Sequence, residues 1–409
     1  MAHSIHADKS EIYFVGFASS ASLADLPSQS SAKSPIQLDD SRRKDGQGLQ
    51  KRGDQVPRLL VHPPAMIDPS ADVRLQALMR WLIATLKTDD LTLAVASSDA
   101  SFRRYYRASL ASNHPLAPGA STLIVMDAPP PMEDCRPFVR VARILGDAGV
   151  HAPAVLAQDL AQGFLLLTDL GTTMYVAALN SDSAPALYAD AFDALVRFQR
   201  ASRETQLPPY DEATFARELA LFPDWYIARY LGRALTADER ETLANTFQTI
   251  LKNNLAQPKV FVHRDYHSRN LMVSSPNPGV LDFQDAVYGP ITYDIVSLLR
   301  DAYVEWDEER QLDWAVRYWE CARKAALPVH ADFSLFWRDF EWMGVQRQLK
   351  VLGIFARLAY RDGKDGYLKD LPLVLRYLRA ACNRYRELGP LALLLDVLAD
   401  RAPTVDYSL

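Results

Sequence analysis

The run VFVHRDYHSRN, residues 260–270, is an apolar, strand-like segment that breaks into histidine, arginine, aspartate and asparagine. Asp265 is an acceptor when ionised, Asn270 offers a neutral amide oxygen, and Asp282 ends a second apolar run further along. Phosphoryl transfer needs such a set: a carboxylate that orients an attacking hydroxyl and takes its proton, and oxygen ligands that hold Mg²⁺ against nucleotide phosphates. Asp265 then fills the catalytic position, with Asn270 and Asp282 as metal ligands. On the bland alternative, Asp265 and Asn270 are turn formers and Asp282 caps a strand end. The joint pattern of HRDxxxxN, a hairpin and apolar-apolar-Asp-Phe favours the chemical reading.

Surrounding elements must bring these side chains together. LMV (271–273) and VLDF (280–283) flank the turn signal PNPG and predict a hairpin hung among helices. Upstream, LTLAVA (91–96), FRRYYRASL (102–110) and STLIVMD (121–127) read as strands. A helix follows, with Phe138, Val141, Ala142 and Leu145 at core spacing, and then PAVLAQD and FLLLTD read as two more strands. A further helix starts near Ala71, with Leu75, Leu78, Trp81 and Leu82 on one face. Beyond Gly171 the periodicity is mostly helical: Leu187, Ala191, Leu195 and Phe198 share a face, and Thr236-x-x-Glu239 is a capping box. Helical patterns continue over about 293–398, with breaks near Pro328, at RDGKDG and at Gly389-Pro390. The expectation is an α+β chain in three parts. Residues 1–69, rich in Ser, Ala, Asp, Pro and Lys, form an extension that cannot repay its ordering entropy. Residues 70–168 form a strand-rich unit, and 169–409 a helical unit with the catalytic loop.

The chain has 409 residues, 49% hydrophobic and 23% charged, enough for two units with buried cores. A net charge of −5 gives no reason to expect a nucleic-acid partner; a small ligand fits better. Cys135, Cys321 and Cys382 are odd in number and widely spaced, and read as reduced, buried thiols. No apolar stretch is long enough for a membrane span and no signal peptide is visible, so a cytoplasmic protein without an obligate protein partner is expected.

The order of elements and the catalytic pattern resemble the protein-kinase-like superfamily. The details resemble its aminoglycoside and choline phosphotransferase branch, whose Asp-x-His-x-x-Asn loop is matched by Asp265, His267 and Asn270. The resemblance implies a bilobal fold: a small N-lobe with a five-stranded antiparallel sheet and one helix, and a larger helical C-lobe. It also implies ATP and Mg²⁺ as cofactors. Asp282-Phe283-Gln284 stands where protein kinases have DFG, and no APE-like segment follows, which disfavours a protein substrate. GPITYDIVSLLRD (289–301) is similar to the segment whose aspartate, here Asp294, braces the catalytic loop. SSDASFRRYYR, IVMDAPPP, PFVRVARIL, LLLTDLG and QRQLKVLGIFARLAYRDGK resemble the bacterial anomeric kinases for N-acetylmuramate and N-acetylglucosamine. That resemblance implies an amino-sugar substrate, phosphorylated at C1 in the salvage of peptidoglycan sugars. Kinases of other small alcohols, such as aminoglycosides, choline or homoserine, and a nucleotide-binding pseudokinase remain as alternatives.

The chain departs from the protein-kinase pattern at two points. Ser97-Ser98-Asp99-Ala100-Ser101 takes the place of the glycine-rich loop, so Ser98 and Ser101 are candidate phosphate contacts. Met126 or Asp127 stands where a lysine is expected, leaving Arg103 or Arg104 to meet phosphate charge, one facing inward and one outward; both could equally be solvated strand residues. Asp127 could pair with Arg140. Leu167 and Asp169 lie in the segment that would border adenine. Gln346, Arg347 and Lys350 either reach the acceptor or form the wet side of their helix, and His267 joins Arg347 and Lys350 as a candidate substrate contact. His263 is expected to pack the catalytic loop, since Asp265 already fills the base position.

Overall fold

The computed structural model describes residues 72–98, 102–111, 114–130 and 132–399. The expected extension over 1–69 and Ser101 lie outside these residues.

Helix α1 (Val73–Leu86) begins where the Asp72 carboxylate accepts the backbone N–H groups of Arg74 and Leu75 at 2.9 and 3.0 Å, satisfying donors that a helix start leaves open. Strands β1 (Leu91–Ser98), β2 (Arg104–Leu110), β3 (Thr122–Asp127), β4 (Val155–Asp159) and β5 (Phe164–Thr168) form one antiparallel sheet ordered β1-β2-β3-β5-β4. Helix α2 (Arg136–Asp147) lies between β3 and β4 in sequence. The two-residue period of the strands separates two cores. Leu123, Val125, Phe164 and Leu166 pack with Leu75, Leu78, Leu82 and Leu86 of α1. Met126, Leu165 and Leu167 face the other way and join Phe138, Val141 and Leu145 of α2 in the main core. Asp127, fully buried at the end of β3, is held by Arg74 and Arg104 rather than by Arg140.

The C-lobe is helical: α3 (Tyr175–Ala178), α4 (Ala184–Arg200), α5 (Glu212–Leu221) running into the π-helical segment Phe222–Tyr230, and α6 (Ala237–Ala256). Thr236 and Glu239 form the expected reciprocal cap of α6. Strands β6 (Lys259–Val262) and β9 (Val287–Pro290) pair antiparallel, and between them β7 (Leu271–Met272) and β8 (Gly279–Val280) make the predicted hairpin. Helices α7 (Tyr293–Leu299), α8 (Glu308–Lys324), α9 (Phe333–Asp362), α10 (Leu371–Arg384) and α11 (Gly389–Ala399) complete the lobe. Every residue of 340–356 in α9 is buried, so this helix is the axis of the lobe rather than a surface amphipath. Gly353 lets the end of α5 approach it: a Cβ there would sit 2.4 Å from the Leu221 backbone. Cys135 and Cys382 are buried as expected, but Cys321 is exposed on α8. Among the described residues no helix is long and apolar enough to cross a membrane.

Candidate active site

The catalytic loop spans the gap between β6 and β7, and backbone bonds fold it tightly: His267 N–H donates to Asp265 O at 3.1 Å and Asn270 N–H to His267 O at 2.9 Å. Leu281 N–H then donates to Asn270 O at 2.9 Å, which lays Asp282 beside the loop. The Asn270 amide donates to the Asp265 backbone carbonyl at 2.9 Å and lies 3.4 Å from the Asp282 carboxylate. Gln284 donates to the other oxygen of Asp282 at 2.7 Å. Arg264 and Asp282 adopt left-handed backbone conformations, with φ of 78° and 60°, and such turns persist only where neighbours hold them.

Two carboxylates provide that hold. Asp294 of α7 accepts the backbone N–H groups of His263 and Arg264 at 2.7 and 3.0 Å. Asp301, just after α7, accepts those of Ser268 and Tyr303 at 2.9 and 3.0 Å. Burial pushes the Asp294 carboxyl up to about 7 despite these bonds. His263 is pinned between Leu281 O, to which Nε2–H donates at 2.9 Å, and Asp265 N–H, which Nδ1 accepts at 3.3 Å. Burial pushes it down to about 4, so the ring is neutral, with one donor and one acceptor, both used within the loop.

Asp265 is 3% exposed and its Oδ1 has no hydrogen-bond partner, and the same holds for Oδ1 of the buried Asn270. Burial raises the Asp265 carboxyl, and the charges of Lys350, Arg264 and Arg347 oppose that rise. Buried oxygens without donors are uncommon, and here they fit a hydroxyl donor at Asp265 and a cation at Asn270. Among the described residues no three His, Cys, Asp or Glu side chains gather into a complete metal cage. Asn270 and Asp282 are the residues that could hold a cation here, with its remaining oxygens drawn from phosphate and water, the arrangement Mg²⁺ favours.

A cleft of about 260 Å³ adjoins this cluster, lined by Ala96, Tyr105, Ile124 and Leu167 from the sheet and by Met272, Asp282 and Phe283 from below. Asp169 borders it, its carboxylate bonded to Arg107 at 2.5 and 3.1 Å and to Gly171 N–H at 2.9 Å, which fixes the crossover between lobes. Burial pushes Asp169 up, but the Arg107 and Gly171 bonds outweigh it and hold the carboxyl below its usual range. Of the two alternating arginines, Arg104 pairs with Asp72 and Asp127 around α1. Arg103 is buried, 3.5 Å from Glu133, and near enough to Asp282 and Asp285 for their charges to act on it. Ser98 ends β1, and Ser101 lies outside the described residues.

On α9, Gln346, Arg347 and Lys350 are at most 1% exposed, so they are not the wet side of that helix. Lys350 donates to the Tyr293 hydroxyl at 2.8 Å and lies 3.3 Å from Glu218, to which Gln346 also donates at 3.0 Å. Arg347 lies close enough for its charge to act on Asp265, His267 and Asp301. His267 packs edge-on against Tyr303, and burial, with Arg347 and Arg269 nearby, pushes it well below its usual value. Sequence patterning missed Glu218, Glu133 and Asp301. Glu218 is an acidic residue on the buried face of α5, the one signal that could have drawn attention to it.

Residues 92–333 match the phosphotransferase enzyme family, APH. The chain is 49% identical over 342 residues to the N-acetylmuramate/N-acetylglucosamine kinase of Pseudomonas putida, covering 81% of this chain and 98% of that one. It is 50% identical over 346 residues to the protein of the same name from Pseudomonas aeruginosa, covering 81% and 99%. In fold it is similar to a choline/ethanolamine kinase family protein from Mesorhizobium loti, with a TM-score of 0.52 at 14% identity over 78% of this chain and all of the other. The bilobal frame, the loop at Asp265 and these likenesses converge: the chain belongs to the phosphotransferase enzyme family.

Proposed function

We propose that this enzyme transfers the γ-phosphoryl group of ATP to the C1 hydroxyl of N-acetylmuramate or N-acetylglucosamine, in the cytoplasmic salvage of cell-wall sugars. The observation that carries the phosphoryl-transfer half is the buried, unpartnered Asp265 Oδ1 beside Asn270 and Asp282. The acceptor half is supported by the names of relatives that match almost end to end at 49% and 50% identity.

In this reading the acceptor hydroxyl donates to Asp265, which aims the oxygen at the γ-phosphorus. The new phosphorus–oxygen bond forms as the bond to the β–γ bridging oxygen breaks, and the hydroxyl proton passes to Asp265 late. A hydroxyl is too weakly acidic to ionise first, so orientation outweighs basicity. Asn270 and Asp282 would hold Mg²⁺, which would neutralise phosphate charge. Arg103, buried just before β2 and close enough to Asp282 for its charge to act, adds the cation that β3 lacks, and Ser98 and Ser101 are the further candidates for phosphate contact. Leu167 and the 167–170 backbone border the adenine, with Asp169 fixing that segment. Arg347 and His267 set the floor of the acceptor pocket, Lys350 is taken up by Tyr293 and Glu218, and His263 and Asp294 hold the loop.

The test is ³¹P NMR of the protein with Mg²⁺, ATP and a panel of alcohols. An anomeric phosphate from either amino sugar supports the proposal. Product from choline or an aminoglycoside alone, or ATP binding without any product, contradicts it.

A further inference from the structure

Glu218 lies outside the catalytic loop, yet it is the point where three elements meet. Its Oε1 accepts from Arg264 Nη2 at 2.6 Å and lies 3.3 Å from Lys350 Nζ; its Oε2 accepts from Gln346 at 3.0 Å and from the Tyr210 hydroxyl. Glu218 is 3% exposed, Lys350 1% and Arg264 8%, so each charge depends on the others to offset its desolvation. Arg264 precedes Asp265 directly and is held at φ 78°, with its guanidinium over the Tyr210 ring at 5.3 Å. Protein kinases order an activation loop by pairing arginine with a phosphorylated side chain. Here only residues 283–286 separate Asp282 from β9, too short a stretch for such a loop, and the anion on the arginine comes from α5 of the same chain.

We propose that Glu218 is a built-in counter-ion that keeps the catalytic loop assembled without covalent activation, by occupying both Arg264 and Lys350. The proposal rests on the reading of the chain as a small-molecule kinase. Its physical content is competition between carboxylates. With Glu218 neutralised, the buried Lys350 ammonium is left to act on Asp265, a carboxyl whose ionised form its charge already favours. Lys350 then captures Asp265, and the acceptor hydroxyl loses its partner. Glu218 is thus a positioning residue, acting through Arg264 and Lys350 on Asp265.

Three measurements test this on the full chain. First, Glu218→Gln lowers kcat by roughly 10²-fold, the scale of a displaced catalytic group, with KM for ATP unchanged. The double variant Glu218→Gln/Lys350→Met, which removes the competing cation as well, recovers much of that loss. A residue with a merely packing role predicts the opposite, since the second buried change would add to the first. A wild-type kcat in Glu218→Gln, or a double variant no faster than the single one, overturns the proposal. Second, hydrogen–deuterium exchange over 263–270 rises in Glu218→Gln and returns in the double variant; unchanged exchange overturns the proposal whichever alcohol is the substrate. Third, wild-type protein treated with phosphatase keeps its full kcat, and loss of activity on that treatment overturns the proposal even if neither variant folds. A wild-type enzyme that phosphorylates no amino sugar overturns the proposed function instead, and the exchange measurement still decides the role of Glu218.

Discussion

The Asn270 amide nitrogen donates to the Asp265 backbone carbonyl at 2.9 Å, which leaves the Asn270 side-chain oxygen buried and without a partner. One neutral side chain thereby fixes the backbone at Asp265 and presents an oxygen beside the Asp282 carboxylate.

Asn270→Ala removes both functions. Affinity for Mn²⁺, read by electron paramagnetic resonance with ADP present, is predicted to fall by roughly 10- to 100-fold, and turnover with it. Unaltered Mn²⁺ affinity removes Asn270 from the metal site.

Asp294→Ala strands two buried N–H groups, those of His263 and Arg264. Each costs about 1–3 kcal/mol when left unpaired, so urea unfolding is predicted to shift by several kcal/mol. Asp294→Asn keeps an acceptor and is predicted to lose less. Equal losses in the two variants would show that the bonds are not what matters.

His263 gives a signed pH prediction. Its folded value of about 4 lies below the ordinary 6.5, so the unfolded chain takes the proton first. The stability from this group is complete above about pH 6.5 and declines as pH falls toward 4. Asp294, pushed up to about 7, has the opposite sign: the folded chain takes its proton first, so it adds stability as pH falls through the same window. His263→Gln separates the two. Between pH 7 and 4 the wild type is predicted to lose roughly 3 kcal/mol relative to that variant in urea titrations. Parallel pH dependences would mean that the imidazole titrates alike in the folded and the unfolded chain.

The parts legible in the sequence are those with local signals. Alternation marked the strands of the N-lobe, PNPG marked the β7–β8 hairpin, and the order HRDxxxxN then Asp-Phe marked the three oxygens that the fold brings together. Long-range partners were not legible. Asp127 takes Arg74 and Arg104 because α1 lies across the end of β3, a tertiary placement that neighbouring positions do not encode. Gln346 and Lys350 read as polar, and an amphipathic pattern permits a wet face. Their burial follows from Glu218, 128 residues upstream of Gln346.

Gly353→Ala is predicted to destabilise the protein by roughly 1–3 kcal/mol, although alanine is the better helix former. The new methyl meets the Leu221 backbone at 2.4 Å, and backbone cannot turn aside as a side chain can. A melting temperature at or above that of wild type would contradict the close crossing of α5 and α9.

The central claim is that Asp265 is the catalytic carboxylate, and Asp265→Asn tests it most directly. Steady-state kinetics with Mg²⁺, ATP and the amino sugar that the wild type phosphorylates is the measurement, with ATP binding followed in parallel by calorimetry. The account predicts a fall in kcat of roughly 10³-fold with ATP affinity retained. Turnover within about tenfold of wild type contradicts it, because general acid–base groups in such a position contribute more than that.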